Sequence, residues 1–531
     1  MNQKRSLPDK YYGENGIHRV PLWRIALFAL NNTSTNLYMF LMNYVAYYLA
    51  GWVGVASVIA GSFSMFMRIW DGVTDPLVGM LVDKMDGKFG KNRPFMVIGN
   101  VILFVTSFIL FHCTHLIGTP TGVTEDGIQI LSTGDAALRF AFFTVVSAIY
   151  YIGYTCQCVV TKSAQTCLTN DPKQRPLFAI FDSAFVMVGY IGVGSVAIPN
   201  LTKKYGTLYS VDLFHDIWML CALASAVLTV IAVISIAPKD RIEFFGTGKV
   251  QKIGFKDYWD TVKNNRAIQM LVVAASTDKL ASSTKTSTVT VVLYGIITGV
   301  SGLTAGAALG ADRYAAVNGA LAMLSLPGMV LTMAAIATIA PKLGQKAAML
   351  IGSWGGIIIN TLLAALWMFG DPSQLVGLND KGEVVFVWGT FAIIHALLTV
   401  VLSVFTGMAG NIVIPMTADC ADYEVYRTGK YVPGMMGTLF SFVDKLISSA
   451  APMIAGVMFA AIGFADKLPD VTTEYSMELR IVSVFLMYGM IVIGNICNVI
   501  AMKFYPLSKE KMEEIQDEIA AIKAKAMAEE A

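Results

Sequence analysis

The stretch Arg68–Phe95, RIWDGVTDPLVGMLVDKMDGKFGKNRPF, opens inside an apolar run and closes in a basic turn. It sets Asp71 and Asp75 one helical turn apart on one face, with side chains roughly 5–6 Å from each other. The surrounding run has the character of a membrane-crossing helix, where each charge costs on the order of 2.5–3.5 kcal/mol even on a lenient insertion scale. Two like charges on one face also repel, so something positive has to neutralise them. Arg68, one turn earlier, accounts for one aspartate and not for the second. Intramembrane acids mark ion pathways by default. Carboxylate oxygens together with the Thr74 hydroxyl suit a hard cation, and a proton would serve as well.

Outward from this stretch the chain is built for a bilayer. Of 531 residues 55% are hydrophobic and only 14% charged, with a mean hydropathy of +0.60. A water-facing surface needs more charge than that. A bilayer core about 30 Å thick takes about 20 apolar residues per helix. Such runs lie near 22–50, 53–82, 94–117, 137–164, 176–200, 214–237, 266–299, 314–339, 345–369, 385–414, 434–463 and 479–504. The expectation is an all-α membrane protein of twelve transmembrane helices in two six-helix halves. Its parts are an N-terminus 1–21, a first half 22–237, a central loop 238–265, a second half 266–504 and a tail 505–531. The tail is charged, carries Glu/Lys pairs at helical spacing, and reads as a solvated helix.

Basic residues in short loops set orientation. They follow the second run (Lys84, Lys88, Lys91, Arg93), the fourth (Lys173, Arg175), the sixth (Lys239, Arg241), the eighth (Lys342, Lys346) and the tenth (Arg427, Lys430). Alternate loops such as TGVTEDGIQILSTGD are acidic. Both termini are therefore expected in the cytoplasm of a multi-pass plasma-membrane protein, with the first span rather than a cleaved leader as the targeting signal. The seven cysteines fall in or beside apolar runs and read as small buried residues. No P-loop, H-E-x-x-H or nucleophile–base set occurs, and the five histidines are scattered along the chain. An enzyme, a cofactor and a nucleic-acid partner are not expected.

The halves echo each other weakly: GMLVDKMDGKFGKNRPF after the second run matches ATIAPKLGQKAAM after the eighth, which keeps a basic turn with a glycine. Arg68–Phe95 resembles the signature of the glycoside–pentoside–hexuronide:cation symporter family, R-x-W-D-x-x-x-D-P-x-x-G and then Gly-Lys-x-x-Pro. ADCADYEVYRTGKY, Ala418–Tyr431, is similar to a second family loop, and Lys445 falls where a membrane-embedded lysine follows it. The resemblance implies the major facilitator fold, acting as a monomer with a midplane site. It also implies a saccharide cargo and Na⁺, H⁺ or Li⁺ as coupling ion. Carried over, the cation ligands are Asp71, Asp75, Thr74 in place of an amide, and Thr155. At galactoside-binding positions the chain instead has Asn31, Cys158, Asp182 and Asn411.

The replacements lean towards an anionic cargo. Lys162 lies seven residues beyond Thr155, almost in line with it on a helix. Asp278, Ser282 and Lys285 share a helical face at i, i+4 and i+7, and Lys445 adds a further cation. Lys162 could instead snorkel to the surface, and Lys285 could simply pair with Asp278. Asn31, Asn32, Thr35, Asn36 and Tyr38 could bond hydroxyls, with Trp70, Tyr154 or Trp388 as a stacking platform. The expected function is symport of a saccharide, an acidic one such as a hexuronide or sulfonated sugar ahead of a neutral glycoside or pentoside. A lipid-like cargo on the same fold, or a membrane receptor, are rivals. Asp83, Lys84 and Arg93 form a charged turn that would brace one state of an alternating-access cycle or simply fix topology.

Overall fold

The computed structural model describes residues 19–84, 89–124, 128–169, 174–241, 263–428, 443, 446–515 and 517–518. It divides into two compact units, Met1–Lys249 with Ala465–Leu468, and Val250–Phe464 with Pro469–Ala531.

The first unit contains six spans. Span one runs as Leu22–Met42, a single turn Val45–Tyr48 and a π-type turn Leu49–Val53. Spans two, three and four are Ser57–Lys84, Arg93–His112 and Thr133–Leu168. Span five is Arg175–Gly189 continued through a π-type stretch to Ile198–Tyr205, and span six is Val211–Ile236. In the second unit, span seven is Arg266–Ser283 followed by Ser287–Val291, a π-type turn Val292–Ile296 and a tighter turn Ile297–Gly299. Span eight is Gly310–Ala322 and Ser325–Leu343, span nine Gln345–Phe369 and span ten Thr390–Thr428. Span eleven includes Ala451–Ala461, and span twelve runs from Met477 through a π-type turn to Phe504.

The two units repeat one packing scheme. Span one lies on six, three on four, two on four and three on six; correspondingly seven lies on twelve, nine on ten, eight on ten and nine on twelve. A short antiparallel hairpin follows the third helix of each unit, Gly122–Val123 with Gln129–Ile130 and Val376–Leu378 with Val384–Phe386. The turns after spans two and eight each hold a left-handed glycine, Gly90 (φ 86°) and Gly344 (φ 86°), where a side chain would be strained. The glycine noted in the weak sequence echo thus has a structural reason.

Among the described residues, eight helices are long and apolar enough to cross a membrane. Spans one, two and seven fall short because asparagines, hydroxyls and charges dilute their hydropathy, the cost of carrying polar side chains at depth.

Four expectations need correction. Ala418–Thr428 is not a loop but the last three turns of span ten, since no glycine or proline interrupts it before Gly429. Trp388 lies beyond the Val384–Phe386 strand, exposed at a hairpin rather than within a span. Span seven breaks after Ser283, so Lys285 does not continue the helical face of Asp278 and Ser282. The start of the tail is not solvated: Leu507 and Ile515 are buried in a core with Met416, Cys420, Met502 and Tyr505.

Candidate functional site

Span two carries its acids where span four meets it. Asp71 and Thr155 are wholly buried and Thr74 nearly so, while Asp75 is half-buried one turn along. The Thr155 hydroxyl lies 2.9 Å from Asp71 Oδ1 and equally 2.9 Å from the Tyr151 carbonyl, to either of which it can donate. Thr74 Oγ1 is 3.2 Å from Thr155 Oγ1 and donates to the Asp71 carbonyl at 3.0 Å. One carboxylate and two hydroxyls therefore converge on a dry spot between two helices. Each hydroxyl has a backbone carbonyl to receive its proton, which leaves its lone pairs for a cation.

Arg68 Nη1 stands 3.9 Å from Asp71 Oδ2, beyond hydrogen-bonding distance, and its guanidinium lies 5.8 Å from the centre of the Tyr154 ring. The local cation is thus partly held by an aromatic face. Cys158 lies one turn beyond Tyr154, beside its hydroxyl. Trp70 donates to the Ala148 carbonyl at 2.9 Å from an exposed position.

The span-one residues separate into two sets. Asn31, Thr35 and Tyr38 are wholly or almost wholly buried. Asn31 donates to Thr161 Oγ1 at 2.8 Å, and Thr35 bonds the Asn31 carbonyl at 3.0 Å. Tyr38 stacks edge-on against Tyr150 with ring centres 6.5 Å apart. Asn32 donates to Asp182 Oδ2 at 2.9 Å, and Asn36 donates to Asn32 Oδ1 at 3.1 Å. Three acceptors here are buried without a partner among the described residues: Asn31 Oδ1, Asp182 Oδ1 and Oε1 of Gln157. Gln157 was not anticipated. Its amide within the apolar run YTCQCVV was the available signal.

In the second unit Lys285 sits at the break in span seven. Among the described residues its ammonium makes no hydrogen bond or salt bridge, and the charge acting on it is that of Asp278. Lys162 and Asn411 lie within the helices of spans four and ten, Asp83 and Lys84 at the end of span two, but their side chains fall outside the described residues. Lys445 also falls outside them.

The charged turn has a partner that the sequence did not reveal. Asp240, wholly buried just past span six, accepts hydrogen bonds from the backbone N–H groups of Lys91, Asn92 and Arg93 at 3.2, 3.0 and 2.9 Å. Asn92 Nδ2 adds a bond at 2.9 Å and Arg93 Nε lies 3.5 Å away. Such a nest of amides at a helix N-terminus binds an anion without any ligand being required. The histidines, too, are not all scattered: His112, His115 and His215 come together where span three ends and span six begins.

Comparison with known proteins agrees with this architecture. The glucuronide carrier protein homolog of Escherichia coli (strain K12) is 22% identical over 500 residues, 94% of this chain and 95% of that one. The isoprimeverose transporter of Lactiplantibacillus pentosus is 21% identical over 92% of this chain and 90% of its own length. The crystal structure of nucleoside transporter NupG superposes with a TM-score of 0.56 over 92% of this chain and 99% of that one, at 11% identity, a likeness of fold alone. The family described as MFS/sugar transport protein matches residues 32–509. The resemblance carried by Arg68–Phe95 is borne out: this chain belongs to the MFS/sugar transport protein family, as a multi-pass membrane transporter and not an enzyme.

Proposed function

We propose that this protein is a cation-coupled symporter importing a saccharide, with Asp71, Thr74, Asp75 and Thr155 holding Na⁺ or H⁺. The observation that carries the reading is the dry convergence of Asp71, Thr74 and Thr155 between spans two and four. Cation binding there neutralises a buried carboxylate that is otherwise costly. Occupancy lowers the cost of closing the site around cargo, which is the linkage that makes transport coupled. The names of its relatives, a glucuronide carrier homolog and an isoprimeverose transporter, support a saccharide. The basic loops favour a plasma-membrane protein with both termini cytoplasmic.

We assign the cargo to the acidic saccharides. Support comes from Lys285, an ammonium at a broken transmembrane helix, the kind of element that lines transporter binding sites. A neutral glycoside is the second reading, favoured by Asp182: its unpartnered oxygen accepts a hydroxyl and repels an acid. Uptake into proteoliposomes of a glucuronide and a matched neutral glucoside, with and without an inward Na⁺ gradient, separates the two. Gradient-driven uptake of the glucuronide alone, lost in Lys285→Met, is the expected result. Uptake of the glucoside alone would move the assignment to the second reading, and uptake of neither would overturn the saccharide.

A further inference from the structure

Span two sets a basic and an acidic side chain one turn apart and buries them unequally. The Asp71 side chain is fully enclosed, whereas that of Arg68 remains 31% exposed. The two are paired in charge but not in geometry. At 3.9 Å between Arg68 Nη1 and Asp71 Oδ2 no hydrogen bond forms, and the Thr155 hydroxyl lies against the other carboxylate oxygen. A guanidinium carries five N–H donors in a planar fork, which fits a carboxylate through two parallel bonds. Asp71 does not fill that fork.

What else surrounds the guanidinium is aromatic. Tyr151 is buried, and it and Tyr154 both act on the Arg68 charge. The centre of the Tyr154 ring lies 5.8 Å from the guanidinium carbon. An aromatic face attracts a cation without occupying its N–H donors. Tyr154 and Cys158 follow Tyr151 along one face of span four and, unlike it, are only partly buried. The meeting of spans two and four therefore opens beside Arg68 and stays closed around Asp71. An arriving anion reaches the arginine and not the aspartate.

We infer that Arg68 is the anchor for the acid group of the cargo, and that the coupling ion at Asp71 is what makes it available. The inference rests on the acidic-saccharide reading above and adds the residue that meets the carboxylate or sulfonate. Without the ion, the Asp71 charge holds the guanidinium beside it. A cation at Asp71, Thr74 and Thr155 cancels that attraction, and the fork then closes on the anionic cargo through two charge-assisted bonds. By linkage, the cargo strengthens cation binding by the same factor as the cation strengthens cargo binding. A neutral glycoside gains nothing from this exchange, because it brings no charge for the arginine.

The test is calorimetry on the full chain in lipid nanodiscs. Phenyl β-D-glucuronide and the coupling ion are titrated separately into wild type, Arg68→Gln and Arg68→Lys. The ion is Na⁺, or the proton followed through the pH dependence of glucuronide affinity where Na⁺ has no effect. Arg68→Gln should weaken glucuronide binding about a hundredfold. The same variant should bind the cation severalfold more tightly, because Asp71 loses the neighbour that competes for it. Arg68→Lys, which keeps the charge without the fork, should recover part of the glucuronide affinity and keep that of the wild type for the cation. Opposite signs in the two titrations are the signature, since an arginine with a merely structural role would lower both. Unchanged glucuronide affinity in Arg68→Gln, or a loss in both titrations, overturns the inference and leaves the symport reading standing. A wild-type chain that binds no glucuronide overturns the acidic cargo and this inference with it.

Discussion

Thr155 shows how much a single side chain can decide. Its hydroxyl lies 2.9 Å from Asp71 Oδ1, so it joins the span-two acid to span four and brings a second helix to the proposed cation site. Thr155→Val keeps the shape and removes the oxygen. It should lower the apparent affinity for the activating cation about tenfold, the equivalent of about 1.4 kcal/mol, with maximal uptake little changed. The cation concentration for half-maximal uptake in proteoliposomes checks this. Asp75→Cys removes a charge rather than a dipole and should abolish cation-stimulated accumulation while leaving downhill exchange of cargo. Full Na⁺-driven accumulation by that variant would remove Asp75 from the site. Asp182 and Asn32, which we propose face the cargo, bond each other and leave one carboxylate oxygen over among the described residues.

At the scale of elements, ends matter more than middles. The start of span three is fixed by a carboxylate that comes from the end of span six, and Arg93, expected to brace one state of the cycle or fix topology, is there as one of several donors. Asp240→Ala leaves buried amides and Asn92 without their acceptor. It should destabilise the first unit by roughly 3 kcal/mol, seen as a lowered unfolding temperature in detergent, whereas Arg93→Gln, removing only the partly exposed ion pair, should cost much less. The tail behaves similarly in the second unit. Lys346 donates to the Tyr505 carbonyl at 2.7 Å, Lys509 to the Lys342 carbonyl at 3.2 Å, and Lys511 lies 5.0 Å from the centre of the Tyr426 ring. With Ile515 buried beneath them, Ile515→Ala should cost about 2–4 kcal/mol in the same assay. A change below about 0.5 kcal/mol, the usual cost of a surface substitution, would restore the view of a solvated helix.

For the whole molecule the repeat is the organising fact. Each unit has the same helix pairs, the same hairpin after its third helix and the same left-handed glycine after its second. From the distribution of lysine and arginine we propose which ends face the cytoplasm. Phe89, in the turn after span two, and Lys381, at the tip of the second hairpin, are both exposed. Phe89→Cys should therefore react with an impermeant maleimide only in permeabilised cells and Lys381→Cys in intact ones. The reverse pattern would invert the topology. These two positions sit on elements whose places in the repeat are unambiguous, so the result orients all twelve spans at once.

Hydropathy, charge bias and the spacing of Asp71, Thr74 and Asp75 determined the class of protein, its span count and the face on which an ion would be sought. Those features are local: a 3.6-residue period and a 20-residue apolar length are written in consecutive residues. Thr155 was reachable only through resemblance, because its distance from Asp71 is a property of two helices and not of spacing. Asp240, the His112–His215 stack and the buried tail were not legible at all. Each joins residues more than a hundred positions apart, or, for the tail, a charged sequence whose few apolar side chains find a core. The break in span seven was also hidden, since Thr284–Thr286 carries neither glycine nor proline. Only packing decides where such a helix yields, here where the Thr284 hydroxyl can serve the Ala281 carbonyl at the end of its own helix or the Leu486 carbonyl of span twelve.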